Sequence, residues 1–206
     1  RACLKTPTAR ALYHFWLAFS GWDERAPLVD PFAGSGTILV EAAWRAAGLA
    51  PGHRRTFGFE KLNRHEPAKW AALREAAMAK AQAPRPLEIY GSDLSAADVA
   101  RARTNLDAAG LTGTVILQRA DVLEVTAPAP AGVLIANPPY GVRLGEATEL
   151  AAFYPALGNA FKARYTGWRC YVFSADAELA KLIRLKPSKR TPLFNGPLEC
   201  RLYEYR

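Results

Sequence analysis

The stretch Val133-Leu134-Ile135-Ala136-Asn137-Pro138-Pro139-Tyr140-Gly141 constrains this 206-residue chain more than any other. Val133 to Ala136 is a run of four apolar residues, the pattern of a strand buried on both faces of a parallel sheet. Two prolines then end it, because neither can extend a central ladder. The strand end presents Asn137, the Pro138 carbonyl and the Tyr140 ring. These groups suit a flat base or amide carrying an exocyclic NH2, whose lone pair is delocalised and therefore a poor nucleophile. With the Asn137 side-chain oxygen and the Pro138 carbonyl each accepting one N–H, the lone pair can face an electrophile. No general base is needed before attack, since the nitrogen becomes acidic only once it carries the new group. Tyr140 can stack on the plane, a contact worth about 1–3 kcal/mol for a nucleic-acid base. The plainer reading of the same residues is a proline-rich turn that closes a strand.

Upstream, Leu28-Val29-Asp30-Pro31-Phe32-Ala33-Gly34-Ser35-Gly36-Thr37 reads as strand, tight turn and helix. The strand is expected over Pro27–Asp30 and the helix over Thr37–Ala47, closed by Gly48. Gly34 and Gly36 allow the backbone close to a ligand, and the helix N-terminus offers unpaired N–H groups. A dinucleotide site would have G-x-G-x-x-G with an acid about 20 residues on. Here the spacing is D-P-x-A-G-S-G, which fits a methyl donor better. The positive dipole end suits the carboxylate of the donor's methionine moiety, and Asp30 can hold its ammonium.

Two more acids stand at expected strand ends. The strand Leu87–Asp93 ends in Asp93, placed to accept both ribose hydroxyls of a nucleoside. Ser95 and Asp98 form a capping-box pattern that opens a helix with Val99, Leu106 and Ala109 on one face, closed by Gly110. Val115–Gln118 is the third strand and runs into Asp121, placed to accept from an adenine amino group.

The remaining elements frame these positions. Arg10–Phe19 predicts an aromatic-rich helix beside the first strand, with His14 as a packing residue. Thr56–Glu60 predicts a short extended piece and Glu66–Ala81 a helix, together an insertion between the first helix and the second strand. Its Arg54, Arg55, Lys61 and Arg64 suit either a nucleic-acid face or a solvated rim. Thr148–Arg164 predicts a helix with Pro155 near its start, Trp168–Phe173 a buried strand and Asp176–Leu185 a helix. Lys181, Arg184, Lys186, Lys189 and Arg190 follow with no acid after Glu178, a candidate phosphate-binding run or a solvated basic hairpin. Arg143 is the one cation of the loop after Tyr140, and Cys200–Tyr205 is the last expected strand.

Length and a hydrophobic content of 50% predict one domain over residues 1–206. The 27 Lys and Arg against 19 Asp and Glu, net +8, favour a polyanionic partner. Cys3, Cys170 and Cys200 show no ligand spacing, which argues against a zinc site or a disulfide framework and fits a reducing cytoplasm. No run is long enough to span a membrane. The chain starts at Arg1 and contains only Met78, as a piece of a longer protein would.

The order of D-P-F-A-G-S-G-T and N-P-P-Y resembles motifs I and IV of class I S-adenosylmethionine-dependent amino-methyltransferases. With FGFEKLNRHEPAKW, YGSDLSAADVARARTNLDAAGL, NPPYGVRLG and NGPLECRLYEYR added, nearly the whole chain is similar to one family. That family is the catalytic domain of bacterial 23S ribosomal RNA guanine-N2 methyltransferases, in the THUMP-associated group. The resemblance implies an α/β, Rossmann-like fold: a seven-stranded, mostly parallel sheet with one antiparallel strand near its edge and helices on both faces. It implies S-adenosylmethionine held by Asp30, Ala33, Gly34, Gly36, Thr37, Asp93, Leu94, Asp121, Val122 and Asn137. By the same resemblance Asn137, Pro138 and Tyr140 would hold the target guanine; the candidate RNA contacts read from the residues themselves are Arg143, Lys186, Lys189, Arg190 and Asn195. The resemblance further implies an RNA-binding region ahead of this domain in the full-length protein, while the cysteine spacing leaves no metal expected. Transfer-RNA guanine-N2, nucleic-acid adenine-N6 and protein glutamine methylation share much of the pattern, and a non-catalytic RNA-binding module with the same fold is the alternative from another class.

Overall fold

The computed structural model describes residues 7–50, 52–53, 55–83, 85–139, 146–195 and 198–206. In chain order the elements are α1 (Pro7–Phe19), β1 (Leu28–Asp30), α2 (Thr37–Ala46), a 3-10 turn (Gly58–Lys61), α3 (Pro67–Met78), β2 (Ile89–Asp93), α4 (Ala96–Ala108) and β3 (Ile116–Arg119). They continue with β4 (Val133–Ala136), α5 (Glu146–Arg164), β5 (Arg169–Ser174), α6 (Ala177–Leu182), β6 (Lys189–Asn195) and β7 (Leu198–Tyr205). The seven strands form one sheet in the order β3-β2-β1-β4-β5-β7-β6. β7 runs antiparallel to both of its neighbours, β5 and β6, while the β3-to-β5 block is parallel. This is the expected fold class.

The apolar strand runs are explained by burial on both faces. In β4, Val133 and Ile135 enter the core shared with α1 and α2, and Leu134 and Ala136 enter the core under α5 and α6. β5 alternates the same way, with Tyr171 and Phe173 on the first side and Cys170 and Val172 on the second. Gly91 in β2 leaves room for Leu39 of α2 to pack on the sheet: a Cβ there would sit 2.4 Å from Leu39 Cδ1. Among the described residues no helix is long and apolar enough to cross a membrane.

Three local expectations change. Thr56–Glu60 is not extended; the 3-10 turn at Gly58–Lys61 forms instead, with Glu60 Oε1 accepting from the Phe57 amide at 2.7 Å. The capping box is only half present. Ser95 Oγ accepts from the Asp98 amide at 3.2 Å, but the Ser95 amide donates to Asp93 Oδ1, and Asp98 pairs with Arg101. Helix α5 begins at Glu146 and continues through Pro155, which stands mid-helix rather than near the start. The basic run is solvated and enters a hairpin, but as regular structure the sequence did not mark: Lys189 and Arg190 are exposed and open the edge strand β6, antiparallel to β7.

Candidate active site

The parallel strands β1, β2, β3 and β4 end on one edge of the sheet, and the turns that follow them enclose a cavity of about 550 Å³. Asp30, Ala33, Gly34, Thr37, Asp93, Leu94, Asp121, Val122 and Asn137 all line it. These residues span more than a hundred positions of sequence, and the sheet alone brings them together.

Asp30 closes β1 and is almost wholly buried. Its Oδ1 accepts from the Phe32 amide at 3.1 Å, whereas Oδ2 is buried with no hydrogen-bond partner among the described residues. Burial pushes its carboxyl up to about 7; the Phe32 N–H opposes this and the nearby Asp93 charge adds to it. A buried, half-satisfied carboxylate of this kind calls for a cation.

The glycine turn is held from three sides. The Ala33 amide donates to the Ser92 carbonyl at 2.9 Å, the Gly34 amide to Asp93 Oδ2 at 2.9 Å, and the Asn105 side-chain amide to the Ser35 carbonyl at 2.8 Å. Gly36 has φ +77°, the left-handed region, and a Cβ there would lie 3.0 Å from Ala102 Cβ of α4. Gly36 therefore shapes the turn against α4 and does not itself line the cavity. It is also the N-cap of α2 and has no side chain to satisfy the first N–H groups, which stay available to an anion.

Asp93 accepts one backbone bond on each oxygen, from Gly34 and Ser95, so the carboxylate is fixed in orientation and keeps further acceptor capacity. Asp121 is oriented in a similar way by the Leu123 amide, which donates to Oδ1 at 2.9 Å. Asn137, just past β4, is half-buried, and its Oδ1 has no hydrogen-bond partner among the described residues. Pro138 is buried, and the Pro139 carbonyl accepts from the Tyr154 hydroxyl at 3.2 Å. Tyr140 and Arg143 lie outside the described residues, as does Arg54.

The cationic run Lys186, Lys189 and Arg190 is not at this edge. Lys189 pairs with Glu204 and Arg190 with Tyr203, and β6 points the same way as β5 because both oppose β7. Its first residues are therefore at the far edge of the sheet, about 20 Å of strand from its last residue. Asn195 is that last residue and stands on the cavity edge.

Three aromatic rings complete the cavity wall, and two of them, Tyr13 and Phe153, had no signal in the motifs. Tyr13 comes from α1, Phe32 from the turn after β1 and Phe153 from α5; Phe32 and Phe153 meet edge-to-face at 6.0 Å. Only their apolar helical spacing marked Tyr13 and Phe153, and that spacing reads as core.

A family model described as the RMKL-like methyltransferase domain, UPF0020, matches residues 1–204. The chain belongs to this family. The ribosomal RNA large subunit methyltransferase K/L of Shewanella baltica (strain OS185) is 44% identical over 190 residues, which is 89% of this chain and 27% of that protein. The chain thus spans about a quarter of the length of the curated relatives it matches. Among solved structures, SMU.472, assigned as a methyltransferase and solved with SAH, superposes with a TM-score of 0.87 at 31% identity, covering 97% of this chain and 52% of that one. A structure described as a possible methylase from Clostridium difficile 630 superposes with a TM-score of 0.88 at 30% identity, covering all of this chain and 54% of that one. The family expected from the sequence is therefore the one found.

Proposed function

We propose that this chain is the catalytic domain of an S-adenosylmethionine-dependent methyltransferase acting on the exocyclic N2 of a guanine in large-subunit ribosomal RNA. The observation that carries it is the unpartnered Asn137 Oδ1 on the wall of the cavity that also holds Asp30 Oδ2 and Asp93. The large-subunit RNA name of the relatives supports the substrate class.

The residues present fit the donor. Asp30 Oδ2 lacks a cationic partner, the uncapped α2 N-terminus lacks an anionic one, and Asp93 and Asp121 keep acceptor capacity for ribose and adenine. When bound, S-adenosylmethionine supplies an electrophilic methyl group. Asn137 Oδ1 and the Pro138 carbonyl accept the two N–H bonds of the guanine amine, so that its lone pair faces the donor side of the cavity. Attack would break the donor's S–CH3 bond and leave a neutral thioether, and the proton of the methylated amine would pass to solvent. The guanine must first be unstacked from its strand, because a site at a sheet end cannot reach inside a helix.

The test is methylation of large-subunit RNA with labelled donor, followed by nucleoside analysis, for the unaltered protein and for Asn137→Ala. Label in N2-methylguanosine that falls about 100-fold or more in the variant, with donor affinity kept, is the expected result. Label in N6-methyladenosine, or undiminished turnover in Asn137→Ala, overturns the reading.

A further inference from the structure

We propose that the segment between α2 and β2 carries a second RNA contact, a slot for one unpaired nucleotide of the substrate. The inference rests on RNA being the substrate, as argued above, and adds a site outside the catalytic cavity.

The slot is a cavity of about 230 Å³ separate from the catalytic one. Helix α3 turns Trp70, Leu73, Arg74 and Ala77 toward it, the spacing of one helical face, and the His53 and Phe57 rings stand opposite. Phe57 meets Trp70 edge-to-face at 5.5 Å and stacks with Phe59 at 5.6 Å. His53 is anchored to the body of the protein by its edge contact with Trp44 of α2 at 4.9 Å.

Three features show that this surface is not complete by itself. Helix α3 buries none of its residues, and Leu73 is 63% exposed. A helix with no buried face gains little from burial and normally does not stand alone. The Trp70 indole N–H is shut off from solvent and has no acceptor among the described residues, although buried indole N–H groups usually find one.

Charge selects the occupant. The guanidinium of Arg55 lies 4.8 Å over the Phe57 ring, and that of Arg74 lies 6.0 Å from Trp70 while Nη2 donates to the His53 carbonyl at 3.1 Å. Lys61, Arg64, Lys69 and Lys80 bring the described cations between His53 and Lys80 to six, against Glu60, Glu66 and Glu75. Of those acids, Glu60 is engaged by the Phe57 amide and Glu66 by Lys69. Aromatic walls and flanking guanidinium groups match a base with its phosphate. The slot follows the C-terminal end of α2, which is ten residues or about 15 Å from the catalytic turn at its N-terminal end. It therefore acts on how the RNA is held and not on the methyl transfer itself.

The experiment compares Trp70→Ala, Trp70→Phe and Arg74→Glu with the unaltered protein on two substrates: full large-subunit RNA, and a short RNA carrying only the target guanine and its immediate neighbours. For Trp70→Ala and Arg74→Glu, KM for the long RNA is expected to rise about tenfold or more with kcat and donor affinity unchanged. KM for the short RNA stays the same, and Trp70→Phe keeps most of the long-RNA affinity. Because Arg74 is a surface residue, Arg74→Glu tests the slot even where Trp70→Ala unfolds. An unchanged KM for the long RNA in Arg74→Glu and Trp70→Ala overturns the proposal, and so does an equal loss on both substrates. Loss of binding to another protein with RNA kinetics intact also overturns it and assigns the surface to a protein partner. If the unaltered protein methylates no RNA, it is the proposed function that fails.

Discussion

The Gly34 amide donates to Asp93 Oδ2 at 2.9 Å, so that the turn after β1 and the end of β2 form one rigid edge although 59 residues separate them in the chain. The carboxylate expected to contact the donor's ribose thereby also braces the turn expected to contact its methionine end. Replacing Asp93 with Asn, which keeps an acceptor oxygen, should weaken donor binding about tenfold or more while lowering stability by only about 1 kcal/mol. Titration calorimetry with the donor and thermal melting separate the two effects.

Gly36→Ala should damage the same site through the backbone. At φ +77° an added Cβ is strained, and it meets Ala102 Cβ at 3.0 Å. The expected cost is about 1–2 kcal/mol of stability, together with reduced donor affinity as the turn shifts away from α4. Chemical denaturation and donor titration measure both.

Asp30 predicts a pH dependence with a defined sign. Its folded pKa of about 7 is above the ordinary 3.8, so between these values the unfolded chain holds fewer protons than the folded one. Stability without the donor therefore falls as pH rises from about 4 to about 7. Donor affinity moves the other way across the upper part of this window, because the ammonium requires the ionised carboxylate. Asp30→Asn should flatten both curves, making the donor-free protein more stable at pH 8 and the donor weakly bound throughout. Melting and donor titration at pH 5.5 and 8 check the two signs together.

Tyr154 is expected to act on Asn137 at one remove. Its buried hydroxyl, with a pKa pushed up to about 12 by burial, donates to the Pro139 carbonyl two residues past Asn137. Tyr154→Phe removes that bond together with the hydroxyl's hydrogen bond to Ser174, and should cost about 1–2 kcal/mol of stability. Turnover should fall several-fold with donor affinity unchanged, because the turn that orients the Asn137 amide is loosened. Unchanged kcat would show that the prolines alone hold the turn.

Gly91→Ala tests the packing under the site. The added methyl would meet Leu39 Cδ1 at 2.4 Å and Leu117 Cδ1 at 2.9 Å, pressing α2 off the sheet. A loss of about 1–3 kcal/mol is expected on denaturant unfolding.

The strands that carry the site were legible because each is short, apolar and ended by a residue that cannot continue it. β4 runs over Val133–Ala136 as expected, and β1 and β2 end on Asp30 and Asp93 as expected. Edge elements were not legible. β6 reads as a basic, proline-containing stretch because an edge strand needs no apolar run, and the 3-10 turn at Gly58–Lys61 is closed by backbone bonds and by the Phe57 amide donating to Glu60, which no periodicity marks.

The sequence by itself determined which acids and amides stand at strand ends, since strand termination is local chemistry of prolines, glycines and caps. Only the tertiary structure decided which charged and aromatic side chains share that edge. It brought Tyr13 and Phe153 into the cavity from helices more than a hundred residues apart, and it sent Lys189 and Arg190 to the opposite edge. Strand direction is fixed by long-range pairing, here the antiparallel fit of β7 between β5 and β6, and no local pattern in Lys186–Arg190 encodes it.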